Sequence, residues 1–353
     1  MSERLAKVRD RSSGTPAAPE PATGSARRTG GPLAADWPGG SAAGSALVQG
    51  IGRVDRGPLL AVGAAVALYI WLSVLEPDAL SYNGLTLTLS STMPLMFVAI
   101  AQMIFISLGD LDLGNGYSVA LANVVSAIIM PRHPLLGLGA LALIVAAYAG
   151  MGALVQWRAL PAIIVTLGAS FVWLGLSLIV APSPGGSSPA WLTSVANWNP
   201  PGIPLPLLVA LIVAILGTLV AARTRAGVML RAAGSNPNAA RAFGIPIGVV
   251  RVLAYTAAGL SIVIGGLLLT GLTQSGDANA SADFTLMSVA AVILGGGEFR
   301  GGRTPVIGAV CGALALTLVS PVLSALNVPS NYQTGAVGVV LVLVIAGRRL
   351  LQR

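Results

Sequence analysis

Lysine, histidine and cysteine each occur once in these 353 residues, and charged residues make up only 9% of the chain. Each scarcity removes a class of chemistry. The one lysine, Lys7, precedes every apolar run, so no glycine-rich loop here ends in the lysine that a nucleotide's phosphates require. His133 stands in a Pro-Arg-His-Pro turn, where it reads as a surface loop residue. With no lysine and no histidine inside the apolar body, neither a Ser-His nor a Ser-Lys nucleophile can be assembled, and the chain reads as no enzyme. Cys311 lies in an apolar run and, being alone, excludes an internal disulfide and a cysteine-based metal cluster. No metal and no cofactor is expected in the chain itself.

What the chain has is apolar length. Hydrophobic residues reach 55% and the mean hydropathy is +0.82, whereas a soluble domain carries about 25% charged residues. The expected class is an all-α polytopic membrane protein. Its net charge of +8 records orientation, because the arginines are sorted by connection, and implies no nucleic-acid partner. Residues 1–57, rich in Ala, Gly, Pro, Ser and Arg without apolar periodicity, read as a disordered basic cytoplasmic tail with some attraction to membrane lipid.

Ten apolar segments follow, at 58–75, 85–108, 117–130, 134–155, 161–180, 205–222, 252–272, 284–294, 304–326 and 330–346. About 20 apolar residues cross a bilayer, so the third, eighth and tenth are short and some helices are expected to be broken. With the N-terminus inside, the cytoplasmic connections hold Arg158, the cluster Arg223, Arg225, Arg231, Arg241 and Arg251, and then Arg300 and Arg303. Outside stand only Arg132 and the acids Glu76, Asp78, Asp277 and Asp283. Both termini then lie in the cytoplasm, and residues 58–350 form one transmembrane domain with a cytoplasmic loop at 223–251. The uncharged outer loop 181–204 carries Trp191 and Trp198, either interfacial anchors or a docking surface for an external partner.

Inside the cytoplasmic loop, 230–245 reads LRAAGSNPNAARAFGI. Asn236 can cap a short helix with Pro237 at its first position, and Gly244 followed by Pro246 ends it. Ala240 is expected to face the cytoplasm, so that Ala240→Trp would spare the fold and overfill a partner's cleft. The plainer reading is an ordinary basic loop.

Two glycine-rich breaks adjoin the short third and eighth segments: LGDLDLGNG at 108–116 and LGGGEFRGG at 294–302. A gapless pairing matches Gly109 with Gly297, Asp110 with Glu298, and Gly114 with Gly302, which suggests an internal repeat, although glycine is abundant enough for coincidence. Matched interruptions in two halves of a transporter point to its pathway. Asp110, Asp112 and Glu298 are explained as caps of adjacent half-helices, so coupling to an ion gradient has little support.

Four stretches resemble the membrane-spanning permease subunit of bacterial ABC importers of the ribose/xylose sugar class: ISLGDLDLGNGYS (106–118), LPAIIVTLG (160–168), RTRAG (223–227) with AAGSNPNAARAFGI (232–245), and AAVILGGGEFRGGR (290–303). They run in that family's order across 58–350. The resemblance implies paired all-helical subunits, identical or paralogous, with a pathway between them. It also implies a cytoplasmic ATPase that binds the ATP, and a periplasmic binding protein that delivers a monosaccharide or small polyol across the bacterial inner membrane. Gly234, Ser235, Asn236, Pro237, Ala239, Ala240, Arg241 and Gly244 would then form the coupling helix seated on the ATPase. Gly109, Asp112, Gly114, Asn115, Thr166, Phe299, Gly301 and Gly302 would line or gate the pathway. Asp112 and Asn115 stand where the family usually has Ser and a small residue, and Glu298 and Arg300 replace small or hydroxylated residues, which bears on the solute more than on the class. A branched-chain-amino-acid permease of the related type and an ion-coupled secondary carrier are the alternatives.

Overall fold

The computed structural model describes residues 56–329, 332–333 and 335–339. All of the tail but its last two residues, and most of the tenth apolar segment, lie outside these residues. Thirteen helices make up the described body, with no strand among the described residues and one isolated bridge between Gly185 and Gly276.

Among the described residues six helices are long and apolar enough to cross a membrane: α1 (Arg56–Leu75), α5 (Pro134–Arg158), α6 (Ala162–Val180), α8 (Leu205–Arg223), α11 (Ile247–Thr273) and α13 (Val306–Ala325). Counting α2 (Tyr82–Ser90) and α3 (Thr92–Ser107), bent by 45°, as one span brings the number to seven. The bend has a cause in the sequence: Pro94 has no N–H to give the Ser90 carbonyl one turn earlier. Two shorter apolar helices, α4 (Asn115–Val124, prolonged by a wider turn to Ile129) and α12 (Phe284–Leu294), occupy the third and eighth segments. A short helix α7 (Ala190–Ala196) carries Trp191 in the 181–204 loop. The loop at 223–246 contains α9 (Arg225–Ser235) and α10 (Pro237–Ala242).

The centre of the body is α11. It packs on α3, α4, α5 and α7, whereas α1 is largely exposed. Its contact with α5 is reciprocal. Tyr255 of α11 sits over Gly152 of α5, and Tyr148 of α5 sits over Gly259 of α11, with no room for a Cβ at either glycine. Small residues let helix backbones approach where lipid offers no hydrophobic drive for association. Phe105 of α3 lies edge-on to Tyr255, with ring centroids 4.6 Å apart, and Tyr148 stacks on Trp173 of α6 at 6.1 Å. By contrast, α1, α6 and α8 expose large apolar side chains such as Val74, Ile179 and Leu216.

The connection at 274–283 does more than join α11 to α12. Ser281 donates to the Gly116 carbonyl, and the Gly116 N–H donates to the Thr285 hydroxyl at 3.0 Å. The Asp277 N–H meets the Asn123 amide oxygen. This segment therefore runs along α4 toward its first turn, where the sequence suggests only a surface loop.

Candidate functional site

The short helix in the 223–246 loop forms for the reasons its sequence predicts. The Asn236 side chain accepts from the Ala239 N–H at 3.0 Å, and Pro237 occupies the first turn, where no N–H is needed. At the other end, Gly244 takes φ +76°, its N–H reaches the Arg241 carbonyl, and the Ile245 N–H reaches the Ala240 carbonyl. These two bonds close a Schellman motif. The helix before it, α9, is capped by Thr224, whose hydroxyl accepts from the Gly227 N–H.

One expectation is overturned here. Ala240 does not face solvent. It is 4% exposed and belongs to the main core cluster with Ile247 and Val250. The face of α10 left free carries Asn238, Arg241 and Ala242, followed by Phe243, which is 87% exposed. Ser235, Asn236, Pro237 and Gly244 are also exposed, and Ala239 is half-buried.

Gly234, just upstream, lies where three segments meet. The Gly302 N–H donates to the Ser107 carbonyl at 2.8 Å, and the Ser107 hydroxyl donates to the Arg303 carbonyl at 2.6 Å. A Cβ on Gly234 would fall 1.8 Å from the Ser107 oxygen and 2.7 Å from the Gly302 nitrogen. Gly301, at φ +78°, would likewise strike the Gly234 carbonyl and the Gly109 N–H. Two of the anticipated pathway residues, Gly301 and Gly302, therefore stand against the anticipated coupling residue Gly234, and Gly109 stands against Gly301. Phe299 is 56% exposed and lines, with Gly109, Asp110 and Arg251, a cavity of about 700 Å³ that opens beside this junction.

The other four pathway residues lie deeper and together. Asp112 is 1% exposed, and its carboxylate accepts from the Gly114 N–H at 2.7 Å and from the Tyr148 hydroxyl at 2.8 Å. The Tyr148 oxygen also lies 2.8 Å from the Ser118 hydroxyl. Ser118 donates to the Asn115 carbonyl, and the Asn115 amide donates to Gln102 of α3 and Ser288 of α12. Thr166 of α6 accepts from the Leu113 N–H and donates to the Leu111 carbonyl, fixing the 109–114 break from its other side. Gly114 leaves only 2.8 Å for a Cβ before the Thr166 carbonyl.

Two acids are not helix caps. Asp110 pairs with Arg251 at 3.3 Å and accepts from the Tyr255 hydroxyl at 3.0 Å, while Arg251 also reaches Gln156. Glu298 pairs with Arg303 at 2.6 Å. Only Asp112, through Gly114, acts near a helix start. Sequence reasoning missed Tyr148, Tyr255, Gln102 and Ser288. Each is a polar group inside an apolar run, and that anomaly is the signal that marks it. Among the described residues no group of three or more His, Cys, Asp or Glu is placed to hold a metal ion.

Residues 84–345 match the family model described as branched-chain amino acid transport system / permease component. Among curated relatives, an autoinducer 2 import system permease protein LsrC of Salmonella typhi is 29% identical over 301 residues, covering 81% of this chain and 84% of its own. A probable ABC transporter permease protein y4mJ of Sinorhizobium fredii is 26% identical, covering 84% and 90%. An autoinducer 2 import system permease protein LsrD of Photorhabdus laumondii is 26% identical, covering 82% and 90%. No solved structure matches the chain.

Proposed function

We propose that this chain, which belongs to the permease family whose model it matches across 84–345, forms one half of the solute pathway of an ABC importer. In this reading it works in the bacterial inner membrane with both termini and the 223–251 loop in the cytoplasm. A separate ATPase binds ATP and seats on α10. A periplasmic binding protein delivers the solute, and a second permease subunit, identical or paralogous, completes the pathway. Ten spans, the tenth at 330–346, satisfy the arginine partition.

The observation that carries the coupling role is the pair Arg241 and Phe243 on the free face of a helix whose other face is anchored. An exposed aromatic beside an arginine is the composition of an interface hot spot. A push on that face reaches Gly234, and through its backbone contacts the ends of α3 and of the 295–302 break. The paired 109–116 and 295–302 breaks then move together, and Asp112, Gly114 and Asn115 sit in the first of them, with Thr166 of α6 bonded to it.

The solute is read as small and polyhydroxylated. Two of the relatives' names tie them to autoinducer 2, and that compound is a candidate for this chain. The family's printed description names branched-chain amino acids instead. A free amino acid needs fixed partners for an ammonium and a carboxylate. Yet the two ion pairs at the breaks, Asp110 with Arg251 and Glu298 with Arg303, are matched internally. The discriminating experiment co-purifies the chain with its ATPase. The double variant Arg241→Glu/Phe243→Ala should insert and fold normally but lose the ATPase and all uptake. Retention of the ATPase at wild-type stoichiometry would remove α10 from the coupling role.

A further inference from the structure

A second cavity lies at the other end of the bundle from α10, where α11 finishes. It measures about 490 Å³ and is bounded by the α2–α3 bend, the last turns of α11, the start of α12 and the second half of α13. Among the described residues no charged side chain lines it, yet six hydroxyl-bearing residues do: Ser90, Ser91, Thr273, Thr317, Ser320 and Ser324. The remaining wall is apolar, with Phe284 and Met287 among it.

The polar groups here are more available than in an ordinary apolar helix bundle. Ser91 and Ser320 make no side-chain hydrogen bond among the described residues, whereas Ser90, Thr273 and Thr317 donate to carbonyls of their own helices and keep oxygen lone pairs free to accept. Two prolines add to this. Pro94 and Pro321 both line the cavity. Each lacks the N–H that would serve the carbonyl four residues earlier, and those carbonyls belong to Ser90 and Thr317, which line the same cavity. Helix breaks at membrane depth are tolerated where the freed groups find partners or line a polar cavity. Both proline-relieved turns open on one space.

We infer that this cavity is a binding subsite for a neutral polyhydroxylated solute. Backbone carbonyls and hydroxyl oxygens accept its O–H groups, the free Ser91 and Ser320 hydroxyls donate to its oxygens, and Phe284 covers the apolar face of its ring. A charged solute finds no counter-ion among the lining residues and pays for its desolvation without return. The volume lies within the range of small-molecule sites. The inference rests on the importer reading and places the solute on the entry side, far from the α10 surface.

The test uses the intact importer in cells, with Cys311→Ala as background. Single cysteines are placed by Ser320→Cys and, as an orientation control in the loop, Asn238→Cys. A membrane-impermeant maleimide added outside should label position 320 and not 238. D-ribose, D-xylose or erythritol should slow labelling at 320 at least about threefold, while L-leucine leaves it unchanged. Failure to label 320 in cells, labelling only after detergent extraction, an unchanged rate with all three polyols, or equal protection by L-leucine would each overturn the subsite. None of these outcomes touches ATPase retention by α10, so loss of the subsite and loss of the importer reading remain distinguishable.

Discussion

Gly234→Ala is the sharpest perturbation of the junction between the 223–246 loop and the bundle. The added methyl would lie 1.8 Å from the Ser107 oxygen and 2.9 Å from its carbonyl carbon, where ordinary contact begins near 3.4 Å. The obstruction is backbone on every side, so no rotamer change relieves it, and the loop must retreat by about 1.6 Å from Ser107. That retreat breaks or stretches the Gly302-to-Ser107 hydrogen bond, now 2.8 Å long. An unsatisfied buried backbone group costs about 1–3 kcal/mol. Overpacking by one methyl in a tight site costs about 1–3 kcal/mol more. A combined loss of about 2–6 kcal/mol is a large part of a domain's usual stability margin. Gly244→Ala supplies the contrast. Nothing lies within 4 Å of its added Cβ, and only its φ of +76° opposes the change, at about 1–2 kcal/mol. Thermal unfolding of purified protein and solute uptake in cells separate the two. Gly234→Ala should lower Tm clearly and abolish uptake while the free face of α10 still holds the ATPase. Gly244→Ala should give the smaller Tm loss and partial uptake. Wild-type Tm and uptake for Gly234→Ala would refute the close approach on which the coupling route depends.

Ala240→Trp should now reduce the yield of folded protein, because Ala240 is buried among core residues, and a folded variant defective only in ATPase binding would contradict that placement. Asp110→Asn should destabilise by about 1–3 kcal/mol, less than a fully buried pair because Arg251 remains partly exposed. Adding Arg251→Gln to it should recover part of that loss in a double-mutant cycle of denaturation, and strict additivity of the two would deny the pair.

How much of this was legible in the residues depended on whether the signal was local. The α10 cap and stop were legible because Asn236, Pro237 and Gly244 act on their own backbone. The glycine breaks at 109–116 and 295–302 were visible as composition, and so was the apolar length of the spanning helices. The orientation of α10 was not, because alanine carries no preference that separates Ala239 from Ala240, and burial there is decided by Ile247 and Val250 from another helix. Helix α9 escaped notice because its apolar face rests on only one short run, Val228, Met229 and Leu230, among arginines, glycines and alanines that read as a loop. Pro94 and the polar Ser90-Ser91-Thr92 beside it mark the bend at Ser91, but reading 85–108 as one apolar segment passed over them. Residues 274–283 carry Asp277 and Asp283 and so read as a surface turn, whereas Asn123 bonds the backbone of Ser275 and Asp277 and the Ser281 hydroxyl donates to the Gly116 carbonyl.

The deep polar chain explains why those misses cluster. A carboxylate at 1% exposure is expensive in a bundle of this kind, and Asp112 is tolerated because two donors meet it, the Gly114 N–H and the Tyr148 hydroxyl. Tyr148 can reach it only because Gly259 admits the tyrosine against α11. Asn115, one turn on, then ties α4 to α3 and α12 through Gln102 and Ser288. Satisfying one buried acid thus recruits five helices, since α5 brings the tyrosine and α11 the glycine. The same break ends, at Gly109, against the Gly301 turn that also meets Gly234. A hydrogen-bonded strut on one side of residues 109–116 and a side-chain-free contact on the other is the arrangement that the proposed coupling route needs. In that route the glycines would let backbone slide on backbone, and the Asp112 chain would pass the sliding to the helices it bonds.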